Sequence, residues 1–281
     1  MQIIAEPQEM QAIVEAARRD GRSVGVVPTM GALHQGHLSL LQVCRTENDL
    51  AVMTLFVNPA QFDRMDDLER YPRDLDRDAR LAREAGVDCI FAPPPPAMYP
   101  SGYSTYVTVE GFTDRWEGAS RPGHFRGVAT VCTKLFTITR PHRAYFGQKD
   151  YQQSLVIRRL VHDLNLGFDI VVRPTVREAD GLALSSRNVL LKPDERQQAA
   201  VLSRALSRAQ DTVRRGERNA AKLRDGIEAE IRTMPLAQPD YVAVCDPETL
   251  DALAEIRGRA VALVAVRFGA PRLIDNVLLE P

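Results

Sequence analysis

The sequence predicts an α/β protein with a Rossmann-like, doubly wound parallel sheet and a smaller C-terminal α+β domain. Strand-like and helix-like segments alternate from residue 23 to residue 174, which is typical of a parallel sheet with right-handed crossovers. Beyond residue 176, two helix-like segments precede three strand-like runs without alternation. We therefore expect a first domain over 1–176 and a second domain over 177–281 that acts as a lid.

Short β-branched or apolar runs are the predicted strands of the first domain, and segments with apolar residues at helical spacing separate them. One of these helices stops at Gly86, a residue suited to the end of a helix. The predicted strands are 23–28, 49–57, 87–93, 143–147 and 168–174. The predicted helices are 38–47, 72–86, 127–139 and 150–165.

Consecutive prolines from Pro93 to Pro96 interrupt this alternation and begin a long excursion that ends near Gly127. We expect one extended pair and a mobile loop within it. The C-terminal domain opens with a long helix at Pro193-Asp194, followed by a second helix over 219–233. Its predicted strands are 241–246, 260–268 and 273–279.

Composition is that of a globular protein with an ample core, since 44% of the 281 residues are hydrophobic and 26% are charged. The net charge of -1 argues against general affinity for nucleic acid or acidic membranes. No apolar run approaches the roughly 20 residues that span a bilayer, and the N-terminus lacks an apolar signal core, so we expect a mature cytoplasmic protein. The four cysteines show no CxxC pair and predict buried free thiols.

The first candidate site segment runs from Pro28 to His37, between a predicted strand and a helix. Ligands of open parallel sheets bind at such strand ends, and a helix N-terminus attracts anions. Gly31 and Gly36 allow the backbone to approach a ligand closely. His34 and His37 are suited to donate hydrogen bonds to phosphate oxygens. A turn with two solvated histidines is the alternative, which the strand-to-helix context disfavours.

Two amide side chains, Asn58 and Gln61, follow the second predicted strand. Amides recognise the hydroxyls and carboxylate of a small polar substrate without adding charge. Asn58 before Pro59 also suits a simple turn. That explanation does not extend to Gln61.

Lys149 lies between a strand end and the next helix, and it is one of only four lysines among 36 basic residues. A lysine at a helix start opposes the helix dipole, a cost that a bound phosphate would offset. The adjacent Asp150 is placed to cap the helix, which explains Asp150 without any ligand.

A further polar run, Ser185-Ser186-Arg187, lies near the predicted domain junction. Hydroxyl and guanidinium donors of this kind suit the β- and γ-phosphates of a nucleotide. A polar interdomain loop explains the same residues equally well, so the run alone does not decide between the two.

Together and in this order, the motifs resemble the nucleotidyltransferase superfamily and, within it, the pantothenate synthetase family. HxGH at 34–37 is shared with class I aminoacyl-tRNA synthetases and with adenylyltransferases for small cofactors. The family is selected by FVNPxQF at 56–62, FGxKDxQQ at 146–153 and DGLAxSSRN at 180–188, and YPR at 71–73 and RPGHFxGV at 121–128 agree with it. The chain departs from the family pattern at Arg77, Trp116 and Leu184.

The resemblance implies the ATP-dependent condensation of (R)-pantoate with β-alanine to give pantothenate, AMP and diphosphate through pantoyl adenylate. This reaction belongs to vitamin B5 and coenzyme A biosynthesis. The resemblance also implies a homodimer that binds neither nucleic acid nor membrane. Mg²⁺ would be held mainly by the ATP phosphates, with Asp78 as a candidate protein ligand. Asp78 also suits the first turn of a helix through the dipole alone.

The same resemblance assigns roles to individual residues. By family convention His37 is the proton donor, and the catalytic set is completed by His34, Lys149, Ser185, Ser186 and Arg187. Gln61, Gln153 and Asn58 would bind the substrates, with Gln61 and Gln153 in contact with pantoate. Gly147 and Asp150 would contact ribose, and the backbones of Val176 and Leu184 would contact adenine. The implied ATP-binding residues are Met30, Gly31, Ala32, Leu33, His34, Gln35, Gly36, His37, Gly147, Gln148, Lys149, Asp150, Val176, Leu184, Ser185, Ser186 and Arg187.

Two other functions agree with part of the pattern. An adenylyltransferase would use HxGH and SSRN but keep AMP on its product, and it has no need of the amides. A non-catalytic ATP-binding regulator would need neither Lys149 nor the paired histidines. A synthetase acting on tRNA is disfavoured by the nearly neutral charge and by the lack of a large anticodon-reading region.

Overall fold

The computed structural model describes residues 1–63 and 65–281, and these form two compact units. The first unit comprises Met1–Val109, Arg121–Gly147 and Gln153–Pro174. The second unit comprises Glu110–Ser120, Gln148–Gln152 and Thr175–Pro281. The longest segment of the second unit, Thr175–Pro281, begins beside the expected boundary at residue 176. Residues 110–120 and 148–152 were expected in the first domain but belong to the second unit.

The first unit contains a six-stranded parallel sheet, which confirms the predicted sheet. The strands are β1 (Gln2–Ile4), β2 (Val24–Thr29), β3 (Leu50–Leu55), β4 (Cys89–Phe91), β5 (Arg143–Gly147) and β6 (Asp169–Arg173). Their order in the sheet is β1-β4-β3-β2-β5-β6. The pairing of β2 with β5 stops at Val26 and Ala144, before either strand ends. The strand order reverses at this pair, and ligands of such sheets bind in the crevice at this point.

Strands β2, β3 and β4 are buried along most of their length, as expected for parallel strands covered on both faces. Helix residues such as Leu41 pack with Met53, Ile90 and Tyr145 in one apolar cluster. The helices are α1 (Pro7–Arg19), α2 (Gln35–Glu47), α3 (Met65–Arg70), α4 (Leu75–Glu84), α5 (Pro95–Met98), α7 (His124–Thr139) and α8 (Tyr151–Asp163), whose first two residues belong to the second unit.

The excursion after the proline run differs from its prediction. No strand lies between Phe91 and Arg143, a stretch that the structure describes throughout, so the expected extended pair is wrong. Instead, the backbone N–H of Val107 donates to the hydroxyl of Thr130 on α7 at 3.0 Å. A side chain of a helix thus takes the place of a partner strand for this stretch. The sequence also failed to indicate β1 and α1.

The second unit contains an antiparallel three-stranded sheet. Its elements are α6 (Glu117–Ser120), α9 (Pro193–Ala199), α10 (Val201–Arg214), α11 (Ala220–Arg232), β7 (Ala237–Cys245), β8 (Ala260–Phe268) and β9 (Arg272–Leu279). The strand order is β7-β8-β9, and β8 is buried along most of its length. The long helix predicted from Pro193 is two helices that meet at Ala200. The register between β7 and β8 shifts at Pro239, which has no N–H to donate to the ladder.

The four cysteines are free and buried, as predicted. Burial raises the pKa of Cys44, Cys132 and Cys245 to about 12 in each case, so these thiols remain protonated at neutral pH. Among the described residues, no helix has the length and apolar character needed to cross a membrane.

Candidate functional site

The turn between β2 and α2 is held in shape by Asp78 of α4. The Asp78 carboxylate accepts the N–H of Ala32 at 2.8 Å and the N–H of Leu33 at 2.9 Å. Gly31 has a φ of 84°, and a Cβ atom at this position would come within 2.9 Å of the carboxylate. The turn therefore depends on a glycine and on a buried acid, and it leads directly to His34.

His34 and His37 cap the first turn of α2 reciprocally. Nδ1 of His34 accepts the N–H of Gly36 at 3.1 Å, and Nδ1 of His37 accepts the N–H of His34 at 3.4 Å. The two rings are stacked, with centroids 4.1 Å apart. Because Nδ1 of each ring is an acceptor, we infer that the neutral tautomer carries its hydrogen on Nε2. Each imidazole thereby gains an N–H donor of the kind that phosphate oxygens accept.

Gln61 ends a short 3-10 turn (Pro59–Gln61) after β3, and its amide has a defined orientation. Its Oε1 accepts from Nδ2 of Asn58 at 2.9 Å, and its Nε2 lies 3.3 Å from Sδ of Met30. A thioether is a weak acceptor. The Nε2 group is therefore suited to donate to a stronger acceptor, such as a substrate carboxylate or hydroxyl.

Asn58 is completely buried, and its amide is engaged by protein groups. Its Nδ2 also donates to the Gly127 carbonyl at 3.1 Å, and its Oδ1 accepts from the Tyr99 hydroxyl at 2.8 Å. Burial raises the pKa of Tyr99, so its hydroxyl stays protonated and donates. Asn58 is one of the predicted substrate-binding residues, and its side chain orients Gln61.

The RPGHF segment also fixes Gln61, through the backbone. Nδ1 of His124 donates to the Gln61 carbonyl at 2.8 Å, and Arg121 donates to the same oxygen at 3.3 Å. Arg121 additionally pairs with Asp63 at 3.2 Å. The sequence motif around His124 thus has a definite structural role next to the amides.

The acids of α4 do not form a ready-made magnesium site. The Asp78 side chain is only 1% exposed, and both of its oxygens already accept backbone N–H groups of the turn. Residues 1–63 and 65–281 contain no group of three or more His, Cys, Asp or Glu side chains placed to hold a metal ion. The residues present therefore do not fit a protein-built Mg²⁺ site, and Asp78 acts here on the backbone.

In the second unit, the segment that carries Lys149 is bound to β9. The side chain of Asn276 donates to the carbonyls of Gln148 and Lys149, both at 2.9 Å. The Lys149 ammonium lies 3.4 Å from the carboxylate of Asp150. This segment directly follows Gly147, the last residue of β5.

The DGLAxSSRN motif forms a small hairpin that begins at Val176. The N–H of Leu184 donates to the Val176 carbonyl at 3.0 Å, so the two residues predicted to contact adenine are neighbours. Asn188 closes the loop by donating to Ala183 and to Glu178, at 3.1 and 2.8 Å. Ser185 Oγ accepts the N–H of Arg187 at 3.2 Å, so this hydroxyl is tied to the turn.

Residues 110–120 are held in the second unit by several polar contacts. Glu117 pairs with Arg272 at 2.7 Å, and the indole N–H of Trp116 donates to the Leu250 carbonyl at 3.0 Å. Gln152 donates to the carbonyls of Phe112 and Arg115 at 2.8 and 2.9 Å. The first glutamine of the QQ pair is therefore structural, and Gln153 is the one with a partly exposed side chain.

The predicted site residues are divided between the units. Met30, Gln61 and Asn58 are in contact within the first unit. The first unit also contains Gln153 and the residues from Gly31 to His37, of which Gln35 begins α2. The residues from Gln148 to Asp150 and those from Val176 to Arg187 belong to the second unit.

Sequence reasoning missed Tyr99 and Asn276. The available signal for Asn276 was a polar Asp-Asn pair within an otherwise apolar strand.

A sequence profile of the family described as Pantoate-beta-alanine ligase matches residues 2–278. The chain is 55% identical to the pantothenate synthetase of Moorella thermoacetica over 280 residues, which cover 100% of this chain and 99% of that protein. It is 52% identical to the pantothenate synthetase of Acetivibrio thermocellus, over 280 residues and 100% of both chains.

Solved structures give the same result. The crystal structure of pantothenate synthetase from Thermus thermophilus matches with a TM-score of 0.94 and 48% identity over 100% of both chains. The pantoate-beta-alanine ligase of Francisella tularensis matches with a TM-score of 0.82 and 34% identity, over 99% of this chain and 97% of that chain. The Francisella crystal is described as a complex with beta-gamma ATP and beta-alanine.

Proposed function

The chain belongs to the pantoate-beta-alanine ligase family, and we propose that the residues described above bind and align the substrates of that reaction. The enzyme condenses (R)-pantoate with β-alanine at the expense of ATP and releases pantothenate, AMP and diphosphate. Pantoyl adenylate is the intermediate. The observation that carries this assignment is the family match over residues 2–278.

In the first step, a carboxylate oxygen of pantoate attacks the α-phosphorus of ATP. A P–O bond forms, the bond to the β-phosphate oxygen breaks, and diphosphate leaves with the electron pair. The Nε2–H donors of His34 and His37 and the Lys149 ammonium would bind phosphate oxygens whose charge grows in the transition state. Such preorganised donors supply much of the catalysis of charged reactions. Ser185, Ser186 and Arg187 would bind the β- and γ-phosphates.

In the second step, the free amine of β-alanine attacks the acyl carbon of pantoyl adenylate. The C–N bond forms, the bond from carbon to the phosphate oxygen breaks, and AMP leaves. The nitrogen loses one proton to complete the amide. These roles require no covalent enzyme intermediate, so holding the reactants in alignment supplies the remaining rate enhancement.

Pantoate would be held by Gln61 and Gln153. The orientation of Gln61 supports its role, because Asn58 occupies Oε1 and leaves the Nε2 group to donate. We assign Asn58 the task of orienting Gln61. Removal of a single substrate hydrogen bond of this kind costs about 0.5–1.5 kcal/mol.

ATP would also contact the backbone from Met30 to His37, Gly147 and Asp150 at the ribose, and Val176 and Leu184 at adenine. Mg²⁺ would arrive on the ATP phosphates, since the described acids do not build a site for it. We further propose that the enzyme is a cytoplasmic homodimer.

The deciding experiment measures pyrophosphate release with ATP, Mg²⁺ and pantoate, with and without β-alanine, and identifies the products by mass. We expect slow release, limited by the tightly held adenylate, without β-alanine, and rapid turnover to pantothenate and AMP with it. Pyrophosphate release that does not require pantoate, with AMP retained on another product, would instead indicate an adenylyltransferase. ATP binding without any turnover would indicate a regulator.

A further inference from the structure

Strand β9 contains two adjacent buried polar residues. Asp275 and Asn276 are each 3% exposed, although the rest of the strand is largely apolar. A buried polar side chain destabilises a fold unless it is hydrogen-bonded. The contacts of this pair therefore indicate why the strand contains them.

Asn276 is hydrogen-bonded to the two consecutive peptide carbonyls that flank the α-carbon of Lys149. Its Nδ2 donates to the carbonyl of Gln148 and to that of Lys149, both at 2.9 Å. Its Oδ1 accepts from Nε2 of Gln148 at 3.3 Å. Both hydrogens of the amide are used, and consecutive carbonyls are held by one side chain.

Asp275 fixes β9 to the other loop motif of the second unit. Its carboxylate receives two hydrogen bonds from Arg177, at 2.6 and 2.9 Å, and it also accepts the N–H of Asn276 at 2.7 Å. Arg177 in turn donates to the Gly181 carbonyl at 3.0 Å. Paired guanidinium bonds restrict orientation as well as distance, so the strand that carries Asn276 is itself anchored.

We propose that Asn276 is a positioning residue for Lys149: it fixes the backbone from which the ammonium reaches the α-phosphate. This inference rests on the phosphate-binding role proposed above for Lys149. The lysine side chain is long and flexible, so the direction in which it leaves the backbone determines where its charge is delivered. A misplacement of about 1 Å in a catalytic group can cost about 10²-fold in rate.

The test compares Asn276→Ala, Asn276→Leu, Lys149→Ala and the double variant Asn276→Ala/Lys149→Ala. The leucine variant keeps the branched arrangement of side-chain heavy atoms in an apolar strand but removes both donors. Asn219→Ala is the matched control, because Asn219 caps α11 of the same unit through the N–H of Lys222 and lies outside the site motifs. Pyrophosphate release with ATP, pantoate and β-alanine, and amide hydrogen exchange of residues 148–152, are measured for each variant.

We expect both Asn276 variants to lower kcat for pyrophosphate release about 10- to 100-fold, with little change in KM for pantoate and faster exchange at 148–152. In the Lys149→Ala background, the loss of Asn276 should have little further effect, because the group that it positions is already missing. Asn219→Ala should lower the unfolding midpoint and change neither readout.

Near wild-type kcat and unchanged exchange in the Asn276 variants would overturn the inference. If the fold-losses of the two single variants multiply in the double variant, Asn276 acts independently of Lys149. That result would also overturn the inference. Wild-type rates in Lys149→Ala would contradict the proposed role of Lys149. If wild-type protein released no pyrophosphate, the proposed function would fail, and the exchange data would still decide whether Asn276 holds this segment.

Discussion

The direction of a single amide group decides what Gln61 offers to a substrate. The oxygen and nitrogen ends of the amide are nearly the same size, so packing alone does not distinguish them. The hydrogen bonds do: Oδ1 of Asn58 accepts from the Tyr99 hydroxyl and Nδ2 donates to the Gly127 carbonyl, so Nδ2 is also the group that faces Oε1 of Gln61. The donor end of Gln61 is thus set by groups two hydrogen bonds away, among them the Tyr99 hydroxyl and the Gly127 carbonyl.

Replacing Tyr99 with phenylalanine should therefore weaken the use of pantoate selectively. Without the hydroxyl, the Asn58 amide keeps its bonds to Gly127 and Ala60 but loses one of the partners that fix its orientation, so Gln61 is less well prepared to donate. We expect KM for pantoate to rise about three- to tenfold, which corresponds to the net energy of one hydrogen bond. KM for ATP should stay unchanged in steady-state measurements with ATP varied at saturating pantoate.

Tyr103→Phe is the control for this prediction. Tyr103 packs edge-on against Tyr99 with ring centroids 5.0 Å apart, so the control changes the same aromatic cluster. A similar rise in KM for both variants would mean that the cluster, and not the Tyr99 hydroxyl, determines pantoate binding.

At the level of elements, α7 and the 3-10 turn that ends at Gln61 approach each other so closely that no side chain fits at Gly127. A Cβ atom on Gly127 would collide with the carbonyl of Ala60. The same glycine offers its own carbonyl to Asn58 at 3.1 Å. The close approach therefore places the helix backbone within hydrogen-bonding distance of the amide network.

Gly127→Ala should separate these two elements. We expect a loss of about 1–3 kcal/mol in the free energy of unfolding from overpacking, together with a rise in KM for pantoate. Gly226→Ala in α11 is the matched control, because a Cβ atom there meets nothing within 4 Å. In that helix alanine should stabilise by about 1 kcal/mol relative to glycine. Urea unfolding of both variants measures the difference, and an equal change of the same sign would contradict the steric explanation.

Elements with strong local signals could be predicted from the sequence. β5 and β8 lie at their predicted residues, since each is centred on an apolar run with clear boundaries. The extended pair expected after Pro96 was wrong, because the backbone there bonds to a hydroxyl on α7 that is distant in sequence. The partners of Asn58 could not be predicted for the same reason, because Tyr99 and Gly127 are distant from it in sequence.

For the whole molecule, the proposed ligands of ATP belong to both units, whereas those of pantoate belong to one. His34 and His37 are in the first unit, and Lys149 and the Ser185–Arg187 run are in the second. Gln61 and Gln153 are both in the first unit. Each loop that carries these residues is held by buried polar groups of its own unit, such as Asp78 and Asn276. The two substrates should therefore protect different segments of the protein from hydrogen exchange.

Hydrogen exchange with each substrate alone should reveal this difference. Pantoate should protect the amides near residues 56–62 and leave 148–152 and 183–188 unchanged. ATP with Mg²⁺ should protect residues 31–37 and both of these second-unit segments. At about 100 times its dissociation constant, ATP should also add about 2.7 kcal/mol to the free energy of unfolding. Helix α11 contains none of the proposed ligands and provides the internal reference for local protection. Protection by ATP that is confined to the first unit would contradict the phosphate-binding roles of Lys149, Ser185, Ser186 and Arg187 together, because all four belong to the second unit.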